Sequence, residues 1–185
     1  MILVTGGCRS GKSAFAEDLV TKWGQRVLYI ATAIAFDDEM KKRVESHKIR
    51  RPSHWDTYEG YLDLPHVIEE KAEQYDGFLL DCITIWITNL LFSFSDTDNP
   101  ENMDFQYLEK KILEEAKRLI KALQKTSVHM IVVTNEVGLG IIPENPLSRH
   151  FCDIAGKVNQ YLANYAKEVY LMVSGIPMKI KGGQV

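Results

Sequence analysis

The segment that decides the fold reads Gly6-Gly7-Cys8-Arg9-Ser10-Gly11-Lys12-Ser13 and fits the pattern G-x-x-x-x-G-K-[ST]. Apolar residues 2–5 precede it and predict a strand, and the residues after it predict a helix with one apolar face. Glycines permit positive φ, so consecutive backbone N–H groups can point at phosphate oxygens. The helix N-terminus adds partial positive charge at the same place. The sequence therefore predicts a phosphate-binding loop between a strand and a helix.

The residue types in and around this loop predict a nucleoside triphosphate site with Mg²⁺. Lys12 is expected to reach the β- and γ-phosphates, and the Ser13 hydroxyl is expected to ligate the metal. Asp81 ends the apolar run 78–81 and is the candidate acid that holds Mg²⁺ through water; its alternative role is the N-cap of the following helix. Glu136, after the run 130–134, is a weaker second candidate.

Short apolar runs alternate with helical periodicity along the chain. Runs 2–5, 27–31, 78–81, 130–134 and 169–173 predict strands that are buried on both faces. Apolar residues recur at helical spacing over 105–123 and 147–165, with Asn145 as the expected N-cap of the second helix. The alternation predicts an α/β fold: a mostly parallel sheet with helices on both faces. Segment 37–66 departs from it, and since no linker is visible we expect one domain over residues 1–185.

Composition excludes several classes of protein. The 185 residues carry a formal net charge of −3, which argues against a general nucleic-acid-binding surface. Cys8, Cys82 and Cys152 are far apart without CxxC spacing, so we expect neither a zinc site nor disulfides, but a reduced, cytoplasmic protein. The N-terminus lacks the features of a signal peptide. The apolar stretch 78–94 is too short for a membrane span, and we expect no membrane insertion.

His47 lies among cations, with Arg43 before it and Lys48, Arg50 and Arg51 after it. One interpretation is a solvated basic helix that ends at Pro52. The other starts from chemistry, because nearby cations keep an imidazole neutral and nucleophilic while they stabilise a pyrophosphate leaving group. His47 is then suited to attack phosphorus and form a phosphoramidate. His54 is the rival candidate, although beside Trp55 it is expected to be a packed ring.

These residues resemble a known family, the bifunctional adenosylcobinamide kinase/adenosylcobinamide-phosphate guanylyltransferases of cobalamin biosynthesis. The resemblance covers nearly the whole chain. Its matching segments are 2–13 (ILVTGGCRSGKS), 29–32 (YIAT), 37–40 (DDEM), 47–48 (HK), 51–55 (RPSHW), 80–84 (LDCIT), 88–91 (TNLL) and 134–138 (TNEVG). The most specific are 142–145 (IPEN), 149–151 (RHF), 153–156 (DIAG) and 158–160 (VNQ).

The resemblance implies a RecA-like P-loop NTPase fold, a homotrimer and two reactions. A nucleoside triphosphate, ATP or GTP, first phosphorylates a hydroxyl on the aminopropanol arm of adenosylcobinamide. GTP then guanylylates a histidine, and the GMP passes to the new phosphate to give adenosylcobinamide-GDP. The nucleophilic histidine of the family falls on His47. The implied GTP contacts are Gly6, Gly7, Cys8, Arg9, Ser10, Gly11, Lys12, Ser13, Ala31, Thr32, Ala33, Lys48, Ile49, Arg50, Arg51, Glu59 and Asp81.

Two departures from the family pattern are visible, and two other functions stay open. Cys8 replaces a small residue, which a loop that binds through its backbone should tolerate, and Asp81 stands where related sequences often carry Glu. The first alternative function is a small-metabolite kinase without guanylyl transfer. The second is a GTP-binding regulator, although no N-K-x-D-like segment follows the fourth predicted strand.

The apolar residues of segment 105–123, together with Leu90, Leu91 and Phe92, bear on the implied homotrimer. They form either a subunit contact or part of the chain's own core, and the sequence leaves both open.

Overall fold

The computed structural model describes residues 1–33, 51–97 and 99–183. Within these residues, seven strands form one sheet in the order β3-β2-β4-β5-β1-β6-β7. The strands are β1 Ile2–Gly6, β2 Val27–Ala31, β3 Asp56–Glu59, β4 Gly77–Asp81, β5 His129–Val133, β6 Glu168–Val173 and β7 Ile176–Lys181. All neighbouring pairs are parallel except β6 and β7, which are antiparallel. The carboxyl ends of β1, β2, β4 and β5 therefore meet at one edge, where open α/β sheets bind ligands.

Five α-helices of the described residues connect these strands. They are α1 Lys12–Val20, α2 Leu64–Lys71, α3 Ile83–Phe94, α4 Phe105–Lys125 and α5 Pro146–Tyr165. The side chain of Asn145 accepts a hydrogen bond from the backbone N–H of Ser148 at the start of α5, which confirms the expected N-cap. None of the helices in the described ranges is both long enough and apolar enough to cross a membrane.

The sheet is buried on both faces. Because successive strand residues point to opposite sides, Phe78 and Leu80 of β4 pack with Leu64, Ile112 and other residues of α2 to α5, whereas Leu79 packs with α1. Double burial is the reason why the predicted strands read as continuous apolar runs. The predicted α/β class and mostly parallel sheet are confirmed, and β1, β2, β4, β5 and β6 coincide with the five predicted runs to within a residue or two.

Three elements escaped the sequence analysis. β3 and the start of α2 lie inside segment 37–66, and β7 follows the last predicted strand. β3 is an exposed edge strand with the sequence DTYE, so it carries no apolar signal. Ile176, Met178 and Ile180 of β7 are more than half exposed, so the strand lacks the buried pattern used for the others.

The apolar face of α4 is used within the chain itself. Its residues Leu108 and Leu119 are buried, as are Leu90 and Leu91 of α3. Only Phe92 of the apolar residues named above for α3 remains largely exposed, at 47%. The surplus surface weighed in favour of a homotrimer therefore belongs to the core of one chain.

Candidate active site

The loop between β1 and α1 has the backbone conformation that its glycines permit. Gly6 has φ 147° and a Cβ there would lie 2.5 Å from the carbonyl oxygen of Met172. Gly11 has φ 93° and a Cβ there would lie 3.3 Å from the Cα of Gly175. The backbone N–H of Gly175 also donates to the carbonyl of Ser10 at 3.0 Å. The turn between β6 and β7 thus braces the loop, and side chains at these two positions would displace it.

Lys12 is the buried cation of this loop, and the residue is only 7% exposed. Its ammonium donates to the carbonyl of Gly7 and lies 3.4 Å from Ser10 Oγ. Burial lowers the pKa of Lys12, and the negative charge of Asp81 works against this shift. The ammonium is therefore held by oxygens of its own loop, where phosphate oxygens would replace them.

A cavity of about 520 Å³ opens beside the loop at the carboxyl edge of the sheet. The predicted residues that line it are Cys8, Arg9, Ser10, Gly11, Lys12, Ser13, Ala31, Ala33, Arg51 and Asp81. The cavity also has wall residues that the sequence analysis missed: Ala14, Tyr29, Cys82, Ile85, Val133 and Asn135. The structure thus brings most of the predicted residues together, and their contact with nucleotide stays a prediction.

Other predicted residues lie differently. Gly6 and Gly7 shape the loop but do not line the cavity. The Thr32 side chain is fully buried, and its hydroxyl donates to the carbonyl of Cys82 at 2.8 Å, so that side chain serves the backbone. Glu59 is exposed at the end of β3, in register with Ala31. The predicted residues outside the described part of the chain are His47, Lys48, Ile49 and Arg50.

One expectation about a side chain near the site is wrong. His54 is exposed rather than packed, although its neighbour Trp55 is buried. Glu136, the weaker metal candidate, does not line the cavity, and its carboxylate accepts a hydrogen bond from the N–H of Gly138 in its own turn; its role at a metal stays a prediction.

Asp81 is held by a side chain rather than by a helix end. Tyr29 donates its hydroxyl proton to Asp81 Oδ2 at 2.9 Å. Burial and the nearby carboxylate raise the pKa of Tyr29, so the phenol keeps its proton and remains a donor. The N-cap position of α3 falls on Cys82, which makes no side-chain capping bond, so the alternative role of Asp81 as N-cap is wrong.

Arg51 lies over the ring of Tyr29. The guanidinium carbon of Arg51 stands 3.3 Å from the centroid of the Tyr29 ring, a cation–π contact. The guanidinium of Arg51 and the carboxylate of Asp81 therefore both contact Tyr29, one through its ring and the other through its hydroxyl.

The donor set fits Mg²⁺. Ser13 supplies a hydroxyl and Asp81 a carboxylate to the same cavity, and both are hard oxygen ligands of the kind that Mg²⁺ prefers. Among the described residues no group of three or more His, Cys, Asp or Glu could hold a metal ion. The ion would accordingly be held by few protein ligands together with water and phosphate oxygens, as is usual for Mg²⁺ in nucleotide sites.

A buried polar network fixes the wall formed by Asn135. Its backbone N–H donates to Thr84 Oγ1 at 2.9 Å, and its carbonyl accepts from Asn159 Nδ2 at 3.1 Å. Asn159 Oδ1 in turn accepts from the hydroxyl of Thr134 at 2.8 Å. These bonds tie the end of β5 to α3 and α5, so this side of the cavity is rigid.

Comparison with known proteins places the chain. Residues 2–180 match the family described as cobinamide kinase / cobinamide phosphate guanyltransferase. The chain belongs to this family. The family and enzyme class predicted from the sequence are confirmed.

Two individual relatives match the chain over nearly their full length. The chain is 51% identical to the bifunctional adenosylcobalamin biosynthesis protein CobU of Salmonella typhimurium, over 98% of this chain and 99% of that protein. It is 50% identical to the protein of the same name from Escherichia coli, with the same shares covered.

Among solved structures, the chain resembles an ATPase of a bacterial type III secretion system. The TM-score is 0.54 at 12% identity, over 92% of this chain and 50% of that one. At this identity the likeness shows the fold alone, and it supports the predicted P-loop NTPase architecture.

Proposed function

We propose that this chain phosphorylates adenosylcobinamide and then guanylylates the product through a covalent GMP-histidine. The observation that carries the proposal is the cavity in which Lys12, Ser13 and Asp81 meet beside an anion-binding loop. The membership of the chain in this family over nearly its full length supports this cavity as the nucleotide site.

In the kinase step the loop and its neighbours hold the triphosphate. Backbone N–H groups and Lys12 bind the β- and γ-phosphates. The N–H groups at the edge of the Arg51 guanidinium bind further phosphate oxygens of the nucleotide. Ser13 and Asp81 would hold Mg²⁺, which when bound neutralises charge on the phosphate oxygens. The hydroxyl oxygen of the aminopropanol arm forms a bond to the γ-phosphorus, the bond to the bridging oxygen breaks, and the hydroxyl proton passes to water.

In the guanylyl step the imidazole nitrogen of His47 attacks the α-phosphorus of GTP and pyrophosphate leaves. The phosphate of cobinamide phosphate then attacks the same phosphorus and releases His47. Arg51 lines the cavity, and His47 lies four residues earlier, so it can be at most about 14 Å of extended chain from Arg51. This tether and the family resemblance support His47 as the nucleophile.

The proposal includes a homotrimer. Val173, Ile176, Met178 and Ile180 form an apolar strip on the β6–β7 hairpin, and each of the four is at least 48% exposed. Contiguous exposed apolar residues of this kind mark surfaces that bind other proteins. Light scattering at micromolar concentration should give three times the chain mass, and a monomer mass would contradict the homotrimer.

The deciding experiment is incubation with GTP labelled on either the α- or the γ-phosphate. The protein should acquire covalent α-label that acid removes and alkali does not, as expected for a P–N bond. His47→Asn should abolish this label and the formation of cobinamide-GDP while γ-label still passes to cobinamide. His54→Asn is the matched control, since His54 is exposed and does not line the cavity.

The same labels separate the alternatives. Transfer of γ-label without covalent α-label would mean a small-metabolite kinase, and the absence of both would mean a GTP-binding regulator. Covalent GMP on His47→Asn would place the nucleophile elsewhere.

A further inference from the structure

Tyr29 lies two residues before the carboxyl end of β2 and is 3% exposed, yet it belongs to the wall of the nucleotide cavity. In the sequence it reads as one more apolar residue of a buried strand. In the structure its hydroxyl donates a hydrogen bond to Asp81 and its ring contacts Arg51. A residue in contact with two opposite charges of a binding site affects which ligands each charged group can bind.

We propose that Tyr29 is a positioning residue that keeps Arg51 and Asp81 apart, so that Arg51 remains available to phosphate and Asp81 to Mg²⁺. The inference rests on the proposed nucleotide site. Without Tyr29 between them, the opposite charges of Arg51 and Asp81 at the rim of one cavity would pair with each other.

Arg51 has a buried hydrogen-bond donor that no acceptor satisfies within the described residues. The Nε of Arg51 is buried and has no acceptor among the described residues, and its Nη1 reaches Thr57 Oγ1 only at 3.4 Å. Stacking on a ring occupies the face of a guanidinium and leaves the N–H groups at its edge free for planar partners such as phosphate. A buried donor without a partner is costly, so its presence at an anion-binding cavity points to a ligand oxygen.

Tyr29 also orients the carboxylate of Asp81. Tyr29 occupies Oδ2 of Asp81, which fixes the plane of the carboxylate and leaves Oδ1 as the other acceptor. Although Arg51 and Asp81 line the same cavity, no ion pair joins these two described residues. The Tyr29 ring lies against the guanidinium at 3.3 Å, and its hydroxyl supplies the carboxylate with a neutral donor in place of the cation.

The two contacts can be removed separately. Tyr29→Phe deletes the hydrogen bond to Asp81 and keeps the ring beneath Arg51. Tyr29→Leu deletes both contacts and allows Arg51 to form an ion pair with Asp81. The probe is a GTP analogue with a methylene bridge between the α- and β-phosphorus, which cannot guanylylate a histidine. Calorimetry gives its Kd with Mg²⁺ and with EDTA.

We expect Tyr29→Phe to leave the Kd in EDTA unchanged and to reduce the enhancement of affinity by Mg²⁺ about 10-fold, the effect of a hydrogen bond to a charged group. Tyr29→Leu should in addition weaken binding in EDTA by about 3- to 30-fold, the range of a cation–π contact. In an Arg51→Ala background, Tyr29→Leu should cause no further loss in EDTA. A purely structural role would weaken binding in both backgrounds alike.

The control is Tyr75→Phe, which removes another tyrosine–aspartate hydrogen bond, to Asp56 at 3.0 Å, away from the cavity. It should bind like the wild type in both conditions. If Tyr29→Leu does not fold, Arg51→Lys replaces it, because a lysine keeps the charge without the planar stack and should weaken binding in EDTA.

Each outcome is decisive. Unchanged Mg²⁺ enhancement in Tyr29→Phe, or losses in EDTA that persist without Arg51, would overturn the role of Tyr29. A wild-type protein that binds no nucleotide would instead overturn the proposed function.

Discussion

Lys12→Met removes the cation of the loop and keeps the aliphatic side chain, so it isolates the charge. A lysine about 4 Å from a phosphate charge gains about 4 kcal/mol at the effective dielectric constant of a partly buried site. The ammonium must first leave the carbonyl of Gly7 and the nearby Ser10 Oγ, and the exchange costs about 1–2 kcal/mol. The net contribution is about 2–3 kcal/mol, which corresponds to a 30- to 150-fold weaker Kd.

The free energy of unfolding should not fall with this substitution. Burial lowers the pKa of Lys12 in the folded chain, so at neutral pH the buried ammonium opposes folding rather than favouring it. Denaturant unfolding of Lys12→Met should therefore give a value equal to or above that of the wild type. This result separates lost binding from lost structure.

The assay is calorimetric titration with nucleotide, together with the rates of cobinamide phosphorylation and of guanylylation. Under the proposed function the loop holds the triphosphate in each step, so both rates should fall with the affinity. Lys22→Met is the matched control, since Lys22 is exposed in the short helix after α1. A wild-type Kd in Lys12→Met, or an equal loss in Lys22→Met, would refute the role assigned to the loop.

Three further predictions concern the same site. Since burial places the pKa of Lys12 below the usual lysine value, nucleotide affinity should decline at a lower pH than an ordinary lysine would cause, and Lys12→Arg should remove that decline from a pH series of Kd values. Cys8 is exposed at the cavity, so an alkylating reagent should modify it, and bound nucleotide should slow the reaction as followed by mass spectrometry. Burial raises the pKa of Cys82 to about 12, so Cys82 should not react at neutral pH. Asn159→Leu should lower the free energy of unfolding by about 1–3 kcal/mol in urea, because the hydroxyl of Thr134 loses its buried acceptor.

The parts of the fold that the sequence predicts are those with a strong local signal. The loop from Gly6 to Ser13 has a fixed spacing, and β4 and β5 are continuous apolar runs because both of their faces are buried. β3 and β7 lack such a signal because each is an edge strand with exposed side chains. Their positions depend on pairing with β2 and β6, which no local pattern encodes.

The candidate site divides in the same way. Lys12 could be found from the fixed spacing of the loop motif, and Asp81 because a charged residue at the end of an apolar run is unusual. Tyr29 and Asn135 could not, since their places at the cavity follow from tertiary contacts. The one available signal was position: both lie within two residues of the carboxyl end of a strand that ends at the same edge as β1.

The brace between the β6–β7 turn and the phosphate loop has a thermodynamic consequence. The N–H of Gly175 is bonded to the carbonyl of Ser10, so the turn and the loop cannot shift independently. The same hairpin carries the exposed apolar strip that includes Val173 and Ile176. If subunits assemble through that strip, nucleotide binding and assembly share a coupling free energy, and each changes the affinity of the other by the same factor. The concentration at which the chain associates would then depend on whether nucleotide occupies the loop.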